Sequence, residues 1–474
     1  MSLSELSTEL DGLIIQQLPQ CALHALTLTN KYYRGLAEPY LYTNIKVRDT
    51  SIYSMARLAL NLVVRKELAR HIQSFELVYT RENRVRARAS DILRLVKANH
   101  LEPELFNDRV ENVREELLTK SPEVKKIIQD LAGPLCGRQF TLKRFTNALG
   151  TGQSLDILLT IILLLATNLE HLRLENIGNR IPHEACWERW KGSNQRSSGK
   201  SYPLHNLKSM ELSIGTKAII PIITPTESLK IRGQGYSRLC WLPHNGPRAI
   251  GDMCSLELQD LQISQDDLET MISLPQMRSM KHLKVTRIGR TTLGTYDYRR
   301  LSQLLSTSLP TLKTLEWIGE NGVYLGTRSP FGSFRGSMQL EELTLDYRYL
   351  KPSTDAIALH IILPEHIIFP ELFFPASLKV LRITNVPSHV LMSLQRESAN
   401  YMLGTAKYLG LSKFDLYTDL PLSSSIGIHW MEAIRKFLVE LVSSLDDIGT
   451  SMRIYNHKYQ DNLELLCEKG YVLT

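Results

Sequence analysis

LEHLRL at residues 169–174 places apolar side chains at relative positions 1, 4 and 6, and that spacing recurs along the chain. It returns in LKSMEL from Leu207, MCSLEL from Met253, MKHLKV from Met280, LKTLEW from Leu312, LEELTL from Leu340 and LKVLRI from Leu378. IQSFEL from Ile72 is an isolated eighth copy. Alternation predicts a β-strand with positions 4 and 6 on one face and the intervening residue on the other. A single strand cannot bury that face, so the copies must stack on one another. Helical three- and four-residue steps precede several of them, as in SLDILLTIILLLATNLEHL from Ser154 and YRRLSQLLSTSLPTLKTL from Tyr298. The expected unit is a helix followed by a strand.

The seven starts lie 38, 46, 27, 32, 28 and 38 residues apart. Only some of these intervals approach the ~20–29 residues of a leucine-rich repeat, so the rest must carry insertions. The expected fold class is α/β, an irregular leucine-rich-repeat solenoid of parallel strands with helices on the outer side. It spans residues 49–425, with insertions near 81–150 and 184–203. Within the first insertion, Ser121-Pro122-Glu123 predicts a helix start and Gly133-Pro134 its end. From 426 to 474 a helical cap is expected, on an amphipathic stripe of Trp430, Ile434, Phe437, Leu438, Leu441, Val442 and Leu445.

The chain has 474 residues, 43% hydrophobic and 22% charged, which suits a folded globular protein and excludes global disorder. A formal charge of +7 over that length falls short of a dedicated nucleic-acid stripe. Cys21, Cys136, Cys186, Cys240, Cys254 and Cys467 form no CxxC pair, so reduced thiols in an intracellular compartment, cytosol or nucleus, are expected. No charged-then-apolar leader opens the sequence. The apolar run Leu155–Ala166 is shorter than the ~20 residues needed to cross a bilayer and reads as a buried helix, so no membrane partner is expected.

Residues 1–48 carry three short helical patterns. Thr8 can cap the first, with Leu10, Leu13, Ile14 and Leu18 before Pro19; Leu23, Leu26 and Leu28 follow; the third runs from Asn30 through Leu36 and Ala37 to Pro39. Tyr40–Val47 then alternates as a strand would. The stretch LSELSTELDGLIIQQLPQCALHALTLTNKYYRGLAEPYLYTNI resembles an F-box of the kind common in fungal proteins, and leucine-rich repeats behind it suit that family. The resemblance implies a substrate-recognition subunit of an SCF-type ubiquitin ligase. Its F-box would dock on a Skp-type adaptor, and through it a cullin, while the repeats hold a protein substrate. By position, the adaptor contacts it implies are Leu6, Glu9, Leu10, Ile14, Leu18, Leu26, Leu28 and Leu36. The family usually has Leu-Pro where this chain has Leu6-Ser7, which removes a fixed φ.

Between the inward pair of each repeat stands one outward residue: Arg173, Glu211, Glu257, Lys284, Glu316, Thr344 and Arg382. This mixed-sign row is the expected substrate surface, suited to a protein or peptide with complementary local charge. Sharper chemistry is not supported. HEAC at His183–Cys186 lacks a second ligand pair, so no metal is expected. GTGQS from Gly150 and RGQG from Arg232 lack phosphate-loop spacing and read as turns. No GxSxG elbow or HExxH helix occurs, so neither enzyme activity nor a cofactor is expected. Arg81, Arg84, Arg86 and Arg88 form the densest basic cluster but lack interleaved aromatics, which makes nucleic acid a weaker partner than protein. The remaining alternative is a repeat scaffold with no ubiquitin role.

Overall fold

The computed structural model describes residues 8–47, 65–78, 165–175, 206–214, 217–220, 227–241, 252–287, 296–319, 331–349, 373–387, 409–419, 428–459, 462–468 and 471–472, together with isolated positions between 55 and 62, 159 and 163, and 403 and 407. The arginine cluster at 81–88, the helix at Ser121, HEAC and GTGQS lie outside the described residues. The chain is α/β and divides into two compact units, residues 1–226 with 231–237 and 244–250, and residues 227–230, 238–243 and 251–474.

The first unit begins with helices α1 (Thr8–Gln16), α2 (Gln20–Thr27) and α3 (Lys31–Thr43), followed directly by strand β1 (Asn44–Val47). Asn30 caps α3 by accepting from the Tyr33 amide at 2.9 Å. Two expectations are corrected here. Pro39 does not stop the third helix but lies inside it, and the strand starts at Asn44 rather than Tyr40. Burial overrides the local signal: Ala37 is fully buried, with Tyr40 and Leu41 packed around the same cluster, and that packing holds the helix through the proline. After the short helix α4 (Lys66–Ala69), β2 (Ser74–Val78), β3 (His171–Glu175) and β4 (Ser209–Ile214) join β1 in parallel register. β5 (Lys217–Ile220) and β6 (Ser228–Trp241) follow. The RGQG stretch lies within β6, so it is extended strand and not the expected turn.

The second unit continues the helix–strand alternation. β7 (Ser255–Gln262), α5 (Gln265–Ile272), β8 (His282–Thr286), α6 (Tyr298–Ser308), β9 (Thr314–Ile318), β10 (Glu342–Asp346), β11 (Val380–Pro387), β12 (Lys413–Asp419), α7 (Ile428–Asp447) and β13 (Ser451–Tyr459) succeed one another. Each strand from β7 to β13 pairs in parallel with the next. Ser264 and Asp297 cap α5 and α6 by accepting amide protons three residues on, at 3.1 Å each. α6 buries Tyr298, Leu301, Ser302 and Leu305, the face that its three- and four-residue spacing predicts.

All seven repeat segments and the isolated eighth form strands, and their positions 1, 4 and 6 are the core. Leu169, Leu172 and Leu174 are buried; so are Leu312, Leu315 and Trp317, and Leu378, Leu381 and Ile383. LSKFDL from Leu411 fits the same spacing and forms β12 with Leu411, Phe414 and Leu416 buried. The C-terminal region differs from a purely helical cap. α7 connects β12 to the parallel β13, after which β14 (Asn462–Glu468) and β15 (Tyr471–Val472) add antiparallel strands. Alternation in SMRIY after Thr450 carries that signal, which the helical stripe before it outweighs in a sequence reading.

Candidate protein-docking site

α1 presents two faces about a quarter-turn or more apart. Asp11 and Ile15 turn inward, where Ile15, Leu23 and Ala37 form a small core flanked by Leu18, Leu26, Tyr33, Leu36, Tyr40 and Leu41. Leu10, Leu13 and Ile14, spaced as i, i+3 and i+4, form the other face and are 48%, 61% and 44% exposed. Leu28, just past the end of α2, and Tyr32 on α3 are exposed as well, at 74% and 47%. Tyr32 reaches α1, where its hydroxyl donates to Asp11 Oδ2 at 2.9 Å. Burial, and then the Asp11 carboxylate, push the neighbouring Tyr33 phenol up from its ordinary value. Five of the seven exposed large hydrophobic residues among the described residues lie between Leu10 and Tyr32, on these helices or at their ends. An apolar concentration of that kind marks an interaction site more readily than isolated exposed leucines do.

The expected adaptor contacts therefore separate. Leu10, Ile14 and Leu28 are exposed, as is Glu9; Leu6 lies outside the described residues. Leu18, Leu26 and Leu36 are half-buried and pack on the inner cluster, where they help hold the helices to one another. Leu13 and Tyr32 belong to the exposed face. Leu13 was visible as a member of the apolar stripe, whereas Tyr32 required knowing that α3 folds back onto α1.

These helices are tied to the strands behind them. Arg65 donates from both terminal nitrogens to Glu38, with Nη2 to Oε2 at 2.8 Å, and the Gln20 side chain donates to the Asn44 carbonyl at 3.0 Å. The Glu38 and Glu67 carboxylates raise Arg65 above its ordinary pKa against the opposing effect of burial.

The outward row is brought into register. In the first unit Lys46, Glu76, Arg173 and Glu211 stand side by side. They pair as Lys46–Glu76 at 3.0 Å, Arg173–Glu76 at 3.8 Å and Arg173–Glu211 at 3.4 Å. In the second, Lys230–Glu257 at 3.0 Å and Lys284–Glu316 at 2.9 Å continue the alternation. Arg382 lies 3.5 Å from Asp415 and 3.0 Å from Glu342, while Lys413 lies 3.0 Å from Asp415. Thr344 is corrected: with Glu316 and Arg382 as register partners, its short side chain is buried at 7% exposure. Most of this row is thus committed to its own neighbours, which reduces what it offers a partner. Lys46, Glu76, Lys230 and Asp415 belong to it too, and the missed LSKFDL repeat is the signal that would have found Asp415.

Among the described residues, no group of three or more His, Cys, Asp or Glu side chains is placed to hold a metal ion, and no helix is long and apolar enough to cross a membrane. No family model matches the chain, and no curated protein matches it.

Proposed function

We propose that this chain is the substrate-recognition subunit of an SCF-type ubiquitin ligase, an F-box protein whose leucine-rich repeats hold a protein substrate. The observation that carries this reading is the exposed apolar stripe of Leu10, Leu13 and Ile14, with Leu28 and Tyr32 also exposed, on a segment whose sequence resembles an F-box. Such a face is satisfied by an apolar groove on a Skp-type adaptor. The chain itself performs no chemistry in this account; it brings a substrate near the transfer machinery of other subunits in the cytosol or nucleus.

The test is a pull-down of a Skp-type adaptor by the wild-type chain and by Leu10→Asp plus Ile14→Asp. Both residues face solvent in the free chain, so the substitutions leave folding largely intact while placing unpaired charge in the contact. Loss of even ~2.7 kcal/mol weakens binding about 100-fold. Failure of the wild-type chain to capture an adaptor that binds another F-box protein would leave the repeat scaffold without a ubiquitin role as the reading. One observation favours that second reading: α3 runs directly into β1, so the helical segment is continuous with the first strand of the sheet.

A further inference from the structure

The carbonyls and amides just before strands β8–β12 form a continuous line at position 2 of the repeat. Lys281 N donates to Cys254 O at 2.8 Å, Lys313 N to Lys281 O at 2.9 Å, Glu341 N to Lys313 O at 2.8 Å, Lys379 N to Glu341 O at 2.8 Å, and Ser412 N to Lys379 O at 2.8 Å. This backbone spine fixes the side chains of Lys281, Lys313, Glu341 and Lys379 along one strand edge, about 4.8 Å apart from strand to strand. Three of the four are lysines.

Their charge is not spent as the outward row's is. Lys379 lies 3.1 Å from Glu341 and Lys313 lies 3.8 Å from the same carboxylate. Lys281 is exposed and pairs with no carboxylate among the described residues. Lys379 is 63% and Lys313 48% exposed. Glu341 therefore answers two lysines and leaves Lys281 unanswered; exposed Arg278 adds a further cation just ahead of Lys281, against exposed Glu227 one position beyond Cys254 on the same backbone line. The two lysines, Lys379 before Lys313, hold the Glu341 carboxyl below its ordinary range, so it stays ionised without balancing them. At the corresponding position of the first unit, Lys208 lies 2.8 Å from Glu170, with the His171 ring 4.0 Å from the same carboxylate.

We infer that this edge of the second unit, centred on Lys281, Lys313 and Lys379, binds an extended acidic segment of a protein partner. An extended chain repeats its side chains on one side about every 6.8 Å. Flexible lysines one and two strands apart can meet acidic residues at alternate positions of such a segment, and charge complementarity favours its encounter. The inference rests on the proposed function only in calling that partner a substrate; the acidic-segment site stands without it.

The experiment is fluorescence anisotropy of a labelled (Glu-Gly)5 peptide titrated with the full chain at physiological ionic strength, where charges beyond roughly 8 Å are largely screened. Wild type binds, Lys281→Glu/Lys313→Glu/Lys379→Glu weakens binding by at least about tenfold, and the matched reversal Lys66→Glu/Arg70→Glu/Lys436→Glu changes it by less than about threefold. Circular dichroism checks folding, and the corresponding Lys→Gln set replaces the reversals if they unfold. Absence of wild-type binding, or equal loss in both reversals, overturns the inference. Tighter binding of an oligothymidylate, lost in the same edge variant, overturns it in favour of nucleic acid. Adaptor capture by the edge variant remains at the wild-type level; if the wild-type chain captures no adaptor yet binds the peptide at this edge, the ubiquitin reading fails and the acidic site remains.

Discussion

Gly319 ends β9 beside a buried carboxylate, and its lack of a side chain is what lets the two meet. Its amide donates to Asp346 Oδ2 at 3.2 Å, and that oxygen also accepts from Asn385 Nδ2 at 2.7 Å. A Cβ there would stand 2.6 Å from the Tyr349 hydroxyl and 2.8 Å from an Arg348 terminal nitrogen. Gly319→Ala is expected to destabilise by about 1–3 kcal/mol, read from the urea midpoint, because the displaced Arg348 side chain bonds the buried Asp346; an unchanged midpoint would show that the neighbours yield freely. Tyr417 offers a second residue-scale test. Burial first, then the Asp415 carboxylate, push its phenol up to about 12. A phenol whose folded pKa is raised stabilises fully below the unfolded value near 10 and loses that contribution as pH rises towards 12. Stability should therefore fall more steeply over that window in wild type than in Tyr417→Phe; parallel curves would remove the shift. At this scale the sequence exposed the inward positions, since an apolar residue at position 4 or 6 has one place to go. It did not expose the fate of Thr344, because whether a short outward side chain is covered depends on Glu316 and Arg382 from two other strands.

At the scale of elements, the repeat strands were legible because period-two alternation and burial coincide. The third helix was not: Pro39 reads locally as a stop, yet Ala37, Tyr40 and Leu41 gain more by packing on Ile15 and Leu23 than the lost hydrogen bond costs. The C-terminal strands were obscured for a related reason, since a strong helical stripe directs attention away from the shorter alternating runs behind it. The join between α3 and the strands can be tested through Arg65. Its paired bonds to Glu38 are partly exposed to solvent, so Arg65→Ala should cost only about 1 kcal/mol globally. Hydrogen exchange should nevertheless quicken selectively in α3 and β1, with α6 unchanged. Uniform acceleration in both units would contradict a local role.

For the whole molecule, the two proposed tasks fall on surfaces of different chemistry: apolar docking on α1 to α3, and partner recognition on the repeats. The first surface was partly legible, as a helical stripe and a family resemblance, but a stripe has two candidate sides and only the fold distinguishes Ile14 from Ile15. Ile14 is 44% exposed and Ile15 2%. Buried-charge arguments then predict opposite consequences for adjacent residues. Ile15→Asp should unfold the helical segment by placing an unpaired charge in its core. Ile14→Asp should leave the melting temperature near that of wild type. The most direct test of the docking claim is calorimetric titration of a Skp-type adaptor into the full chain and into Ile14→Asp. Saturable wild-type binding, weakened at least about 100-fold by Ile14→Asp at unchanged stability, is the predicted result; no wild-type binding, or equal affinity for both chains, would contradict it.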